Sequence, residues 1–462
     1  MQELNLGYHY PIIYWNTACL IINAGANEEL DDNKSTQYGK IAKAIANFKQ
    51  RSIIVDRPLI NEAKFSFVPD EKNNRIIFSF KGLCGIGDDI ARAIVEHQPY
   101  GSFEDFCKRM VDTKIIGTAK MIILIKAGCF NELDSPDRME TMKKFLSRNV
   151  FTPTDKLTMQ QFNSALEYDI FPKEMETMIR IKNFKAYALH ESFFLKNIID
   201  EGKKVPKKGY HDRYFALDER GTEFLMEHFN TCIVGTKEDG VIISEKLFNK
   251  EWDALIQPLK DYMALPETLQ LYNQKKLDST MESYASGSLE QWDMESLSYY
   301  PDRHELWNLN EPKYGVVDYN SLPEIPEVYD YTTRRVRGEI KHFPKYKIFR
   351  LAGTVLDSDN NKHLVTLLTN HSVVTCKYNK GQYSYYNKRI SEQTPAGKKK
   401  VLEESWFKRG SKIIVCGYRR EDQFVVTKYA DTVYTHTTNR IEEIYNDGTI
   451  LAQTDRKKVG EE

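Results

Sequence analysis

Two stretches of the 462-residue sequence combine residue types and spacings suited to holding a phosphate or a nucleobase. In the first, an apolar run from Ile76 ends in Lys81-Gly82-Leu83-Cys84-Gly85-Ile86-Gly87, and Ile90, Ala91 and Ile94 then recur at helical spacing. Gly85 and Gly87 can take positive φ and let another backbone come close. A bare hairpin offers N–H groups and the following helix N-terminus adds partial positive charge, which suits a DNA phosphate. This is the pattern of a helix-hairpin-helix element, with Lys81, Gly82, Gly85, Ile86, Gly87 and Arg92 as candidate duplex contacts. A dinucleotide-binding loop would need a third glycine where Ile90 stands, and a P-loop would need Gly-Lys-Ser/Thr where Asp88 follows Gly87. A tight turn made for packing alone would use the same glycines, and Asp88 and Asp89 would repel a nearby phosphate.

The second stretch runs from Lys377 to Arg389, with Lys398-Lys399-Lys400 close behind and only Glu392 opposing that charge. Tyrosines interleaved with lysines suit single-stranded DNA, because rings stack on bases at about 1–3 kcal/mol each while cations track the backbone. Tyr378, Lys380, Tyr383, Tyr385, Tyr386, Lys388 and Arg389 are the candidate contacts. The competing reading is a solvated loop whose tyrosines pack on the domain beneath. Asp357 and Asp359 are the nearest approach to a metal-binding carboxylate pair, but they fall in a turn between two predicted strands and read as turn residues.

The elements that must position these stretches follow from periodicity. Residues 1–25 read as an amphipathic helix start, with Pro11 suited to a first helical turn, and 35–49 as a second helix with Ile41, Ala42, Ile45 and Phe48 on one face. Strands are expected at 53–55, 65–68 and 75–80. Helices at 103–110 and 118–127, joined through Gly117, form a second, degenerate helix-hairpin-helix, closed by Gly128. Paired copies would clamp both strands of a duplex through backbone contacts that carry no sequence information. Helices are expected at 138–146, 174–188, 222–229 and 245–262, and the basic loop Lys203-Lys204-Val205-Pro206-Lys207-Lys208, with Tyr210 and Arg213 beyond, reads as solvated. Strands at 348–356, 363–369 and 372–378, a helix within 397–409, and strands at 411–418 and 423–429 follow the order of an OB-fold barrel.

Bulk numbers leave room for about three domains. Hydrophobic residues make up 41% of the chain, enough for real cores, and 65 basic against 66 acidic residues give a formal net charge of −1. Any nucleic-acid contact must therefore come from local patches. Seven scattered cysteines without a CxxC pair argue against a zinc site or a disulfide framework and for a reducing, cytoplasmic setting. The first residues lack a basic segment before an apolar core, and no run reaches the ~18 apolar residues of a membrane span.

An ordered series of motifs then becomes specific: His9-Tyr10-Pro11, Arg57-Pro58-Leu59-Ile60-Asn61, Phe65 with Phe67, the Lys81–Gly87 hairpin, Phe103-Glu104-Asp105-Phe106, Leu124-Ile125-Lys126-Ala127-Gly128-Cys129-Phe130, and Trp292-Asp293-Met294-Glu295-Ser296-Leu297-Ser298-Tyr299-Tyr300. In that order and spacing it resembles the C-terminal half of the family C replicative DNA polymerases, the DNA polymerase III alpha subunits. The resemblance implies the end of the fingers, a duplex-binding helix-hairpin-helix region and an OB domain. It does not extend to the palm: the Pro-Asp-x-Asp-x-Asp triad for two metal ions has no match, and neither does the histidine-rich PHP domain. The expectation is thus a DNA-binding chain without catalytic residues or metal of its own, with Mg²⁺ and the aspartates on a palm-bearing partner chain. A split gene of phage origin, acting in the host cytoplasm, is the simplest source. Gln161-Phe162 and Gln270-Leu271-Tyr272 faintly echo the family's clamp-binding peptide, so a sliding clamp is a further expected partner.

The expected fold is α+β and multidomain. A fingers-like helical segment (1–50) precedes the tandem helix-hairpin-helix domain (51–134), a mostly helical insert (135–311), a linker (312–345), the OB-fold domain (346–435) and a polar tail (436–462). A stand-alone DNA-binding accessory protein and a replisome scaffold whose barrel binds protein are the competing functions.

Overall fold

The computed structural model describes residues 11–26, 35–49, 52–151, 154–195, 212–237, 240–393, 399–428 and 437–457. Tyr8, His9, Tyr10, the 203–208 loop, Tyr210 and Lys398 lie outside the described residues. The chain divides into two compact units, residues 1–142 with 286–462, and residues 143–285.

The first unit begins with α1 (Ile12–Ala24) and α2 (Tyr38–Lys49), whose buried stripe is Ile41, Ala42, Ile45 and Phe48. In a small sheet, β3 (Arg75–Ile77) lies between β1 (Ile54–Asp56), parallel to it, and β2 (Val68–Asp70), antiparallel. Pairing starts at Val68 rather than Phe65, because Phe65 and Phe67 are both drawn into the core. Next come α3 (Asp88–Glu96), α4 (Phe103–Phe106) running into a π-turn over Cys107–Val111, and α5 (Thr118–Lys126). Phe130 packs edge-on against Phe103 and Phe106, fixing the second hairpin around one aromatic cluster.

The second unit is entered along α6 (Arg138–Val150), which runs across the boundary at residue 142. It holds α7 (Phe162–Glu167), α8 (Glu176–Ala188), β4 (Tyr214–Ala216), α9 (Glu219–His228), β5 (Ile233–Lys237), β6 (Gly240–Ser244), α10 (Glu245–Leu255), α11 (Gln257–Ala264) and α12 (Pro266–Tyr284). The helical expectation misses the antiparallel sheet β4-β6-β5, whose strands are only three to five residues long. The helix expected over 245–262 breaks after Leu255, where Pro258 opens α11.

The first unit resumes with α13 (Leu289–Ser296) and α14 (Glu311–Tyr314). Its strands are β7 (Val328–Val336), β8 (Glu339–Tyr346), β9 (Phe349–Asp359), β10 (Leu364–Leu368), β11 (Val373–Lys377), β12 (Ile390–Gln393), β13 (Lys399–Glu403), β14 (Lys412–Arg420), β15 (Gln423–Val426), β16 (Thr438–Ile444) and β17 (Ile450–Gln453). Five of them close a barrel in the order β9-β10-β11-β15-β14, with β14 returning to β9. β11 pairs with β15 in parallel and the other pairs are antiparallel, as an OB-fold requires. The long β9 serves both halves: its C-terminal part pairs with β10, its N-terminal part with β14, and a register shift near Leu356 bends it between them.

Three expectations around the barrel change. Its helix is α15 (Lys380–Asn387), not the 401–407 segment, which forms β13 and the turn after it. Residues 328–345 of the expected linker, with Tyr346, form a two-stranded ribbon, β7 with β8. The expected tail adds β16 to β14 and β17 to β16, and then sends Arg456 into the barrel's end. There Arg456 Nε meets Glu403 Oε2 at 2.7 Å, both side chains almost wholly buried, while Trp406 Nε1 donates to Glu403 Oε1 at 2.7 Å.

The unit is tied together at one carboxylate. Arg57 reaches Asp293 through both guanidinium arms, at 2.5 and 2.9 Å, and Arg138 Nη1 shares Asp293 Oδ1 at 2.5 Å. The same arginines cap α5, Arg57 donating to Ala127 O and Arg138 to Lys126 O. Burial works to lower the Arg57 pKa, but its hydrogen bonds to Asp293 and Asp302 outweigh this and hold it above the ordinary value.

Removing one member of a buried charge set costs about 3–5 kcal/mol. Asp293→Ala is therefore expected to destabilise the first unit by that much, read as a lower urea midpoint for the loss of tertiary signal. Burial acts to raise the Glu403 pKa, but Arg456, Trp406 and the Lys457 N–H together hold it below the usual glutamate value. The stability it contributes is complete above the unfolded glutamate pKa and is lost as pH falls through the folded one. Arg456→Ala should accordingly move the acid unfolding transition of the barrel to higher pH, followed by tryptophan fluorescence.

Candidate nucleic-acid interface

The two hairpins present the same local geometry. Gly87 caps α3 with φ −83° and ψ 166°, and Gly117 caps α5 with φ −83° and ψ 164°. Neither helix receives a side-chain cap. A buried isoleucine, Ile86 or Ile116, precedes each glycine and pins the turn to the core. The copies also touch: Lys120 Nζ donates to Gly85 O at 2.5 Å, and a Cβ at Gly85 would stand 3.1 Å from Ile123 Cδ1.

The glycines differ in what they do. Gly82 is buried, and a Cβ there would press on the Phe78 and Phe67 rings at 2.9–3.0 Å, so it is a packing glycine. Gly85 needs its freedom, at φ +86°. Gly87 and Gly117 have ordinary φ, and a Cβ at either would meet nothing within 4 Å. Nothing within the described protein requires glycine at these two caps. What their bareness does is leave the amides of each first helical turn open to an approaching backbone.

The expected duplex contacts therefore separate. Gly85 and Gly87 lie at the surface, while Gly82 and Ile86 face inward. Lys81 is mostly buried and pairs with Asp88, which offsets one of the two carboxylates that argue against a phosphate here, while Asp89 stays exposed. Arg92 is exposed on α3 with its guanidinium 4.0 Å above the Phe65 ring.

The barrel stretch separates in the same way. Tyr378, Tyr383 and Tyr386 are buried with Trp406 and Phe407 in the barrel core. They leave no ring face for a base, so the expectation of stacking is corrected at these three positions. The cause is α15: Asn379 caps it, accepting the Gln382 N–H at 2.9 Å, and the i, i+3 spacing of Tyr383 and Tyr386 puts both rings on its inner face. That cap and spacing were the missed signal. Tyr385 is half exposed, Lys380, Lys388 and Arg389 are exposed, and Arg389 sits 3.2 Å from Glu404.

Other candidates resolve as structural. Asp357 belongs to β9 and packs on Gly39 of α2. Asp359 accepts the N–H groups of Lys362 and Asn361, which hold its pKa below the usual value. Phe162 and Tyr272 are buried in the second unit, so neither clamp-peptide echo presents its aromatic ring. Among the described residues no cluster of His, Cys, Asp and Glu is placed to hold a metal ion, and no helix is long and apolar enough to cross a membrane.

Comparison with known proteins bears on the hairpins first: a family described as "Helix-hairpin-helix motif" matches residues 52–140. Over 99% of its length the chain is 40% identical to two relatives, "Probable DNA polymerase YorL" of Bacillus subtilis (strain 168) and "DNA-directed DNA polymerase" of Bacillus phage SPbeta. It spans about a third of the length of each, 34%.

The division of the barrel tyrosines is testable. Tyr386→Ala is expected to destabilise the barrel by about 3–5 kcal/mol, the range for truncating a large buried aromatic. Tyr385→Ala should leave the unfolding midpoint unchanged, and thermal or urea melts of the two variants check both.

Proposed function

We propose that this chain is a DNA-holding C-terminal portion of a family C replicative DNA polymerase. In this reading the paired hairpins grip duplex behind the active site through backbone amides, and the barrel steadies single-stranded template through Tyr385, Lys380, Lys388 and Arg389. The observation that carries it is the pair of bare caps at Gly87 and Gly117, which have no role in packing. The motif match over 52–140 and the polymerase relatives support it. The palm aspartates and their Mg²⁺ would lie on a palm-bearing chain, and the whole would work in the cytoplasm of a bacterium, a phage host included. A sliding clamp would have to dock elsewhere than at the two buried echoes.

A second reading draws on one observation. Since three of the barrel's tyrosines are core, the barrel also suits a scaffold role in which it binds protein. Salt separates the two, because phosphate binding weakens steeply with ionic strength.

The test exploits helix chemistry. Aspartate is a better N-cap than glycine by a few tenths of a kcal/mol, yet it sets a carboxylate where a phosphate would sit. Gly87→Asp with Gly117→Asp should keep or slightly raise the melting temperature. The same change should weaken primed-duplex binding at least tenfold in fluorescence anisotropy at low salt, with single-strand binding much less affected. Unchanged duplex affinity would remove the hairpins from the reading.

A further inference from the structure

The β7–β8 ribbon has no role in the fold that its sequence explains. Its root is fixed: Tyr346 packs on Tyr418 with ring centroids 4.5 Å apart, Arg420 Nη2 donates to Tyr346 Oη at 3.1 Å, and Lys347 N–H donates to Glu327 O at 2.9 Å. Beyond the root it is bare. Between Val328 and Tyr346 only Thr332, Val336 and Tyr346 are even half-buried. At about 3.3 Å per residue the eight residues of β8 reach about 25 Å.

Its charge is lopsided. Arg334, Arg335, Arg337, Lys341 and Lys345 face only Asp330 and Glu339. Asp330 is taken by Lys345 at 2.7 Å, and Glu339 lies 3.9 Å from Lys341. The three arginines around the turn have no ion pair among the described residues.

The register decides how they point. Arg334 is opposite Lys341 and Thr332 opposite Phe343, on one face. Arg335 is opposite Ile340 and Tyr331 opposite Pro344, on the other. Cations therefore leave both faces near the tip. Of the exposed apolar side chains, Val328, Tyr331 and Ile340 share one face by their pairings and Phe343 stands on the other.

A two-stranded ribbon fits the roughly 12 Å major groove, whose walls are phosphate on both sides. We infer that the β7–β8 ribbon is an arm that enters a groove of duplex DNA, with Arg334 and Arg335 meeting opposite phosphate walls and Arg337 at the tip. This rests on the proposed DNA-holding reading for its ligand, but not on the hairpins.

The experiment is duplex binding by the full chain carrying Arg334→Ser, Arg335→Ser and Arg337→Ser, followed by anisotropy from low to moderate salt. Each lost phosphate contact removes about 0.9 from the slope of log affinity against log salt. The slope should fall by about two to three and the melting temperature should not move. A photoreactive amino acid in place of Ile340 should crosslink to the duplex. An unchanged slope and affinity, on a duplex that Gly87→Asp/Gly117→Asp no longer binds, would overturn the arm and leave the hairpins standing. A parent chain with no salt-dependent duplex binding would overturn both. Crosslinks from position 340 to protein alone would make the ribbon a protein contact and end the proposal.

Discussion

The first unit depends on Asp293, because that one carboxylate must satisfy two buried guanidinium groups. Arg57 precedes the first hairpin, Arg138 follows the second, and Asp293 is reached only after residues 143–285 have been traversed. An arginine on each side of the hairpin pair is thus clamped to a residue that arrives from far along the chain. Neighbouring contacts follow the same seam. The Cys84 N–H donates to Ser296 O at 2.8 Å, Tyr299 Oη donates to Val55 O at 3.0 Å, and Phe78 stacks on Tyr299. The hairpin domain is therefore incomplete without residues 292–300. The same pair of points makes the excursion tolerable. Arg138 Nη2 also donates to Leu289 O at 3.3 Å, so the chain leaves and returns at sites already hydrogen-bonded to each other. Lengthening a loop between fixed ends costs only about 0.6 kcal/mol per doubling.

Rigidity at that seam bears on the hairpin caps. An amide can hold a phosphate only if its helix start is fixed, since backbone contacts have no side chain to adjust. α5 is fixed at both ends. Ile116 anchors its start, and Arg57 and Arg138 bind its last carbonyls. Opposite charges also end up where the helix dipole favours them, with arginines at the C-terminus and an open N-terminus.

Much of this was legible in the sequence. The glycine hairpin, its degenerate copy through Gly117, the stripe of α2 and the strand order of the barrel all follow from local spacing. The joining of the Arg57 and Asp293 motifs was not legible, since 236 residues separate the two side chains and nothing local marks them as partners. The barrel's helix was missed because tyrosines and lysines in alternation look like a binding surface. Only the Asn379 cap and the Tyr383–Tyr386 spacing reveal that the rings turn inward. The tail differs from the expectation because polar residues mark exposed positions along a strand, not absence of the strand. Thr438 and Ile441 of β16 are buried while Glu442 and Glu443 are exposed.

The positive side chains then sort by whether they already have work inside the protein. With a net charge of −1 there is no surplus of cation to spread over a DNA surface. Beside the hairpins Lys81 is committed to Asp88, Lys120 to Gly85 O and Arg109 to Asp105 and Pro99 O. Deeper in the unit, Arg57, Arg138 and Arg456 are wholly structural. Arg92 stays exposed there on α3, and the amides at the two bare caps are main-chain donors, which no count of lysines and arginines would register. Side-chain cation is also exposed at Lys380 on α15, at Lys388 just past its end and at the ribbon tip. A charge run in this sequence is informative only after the buried carboxylates and helix ends have taken their share, and that allocation is a property of the fold.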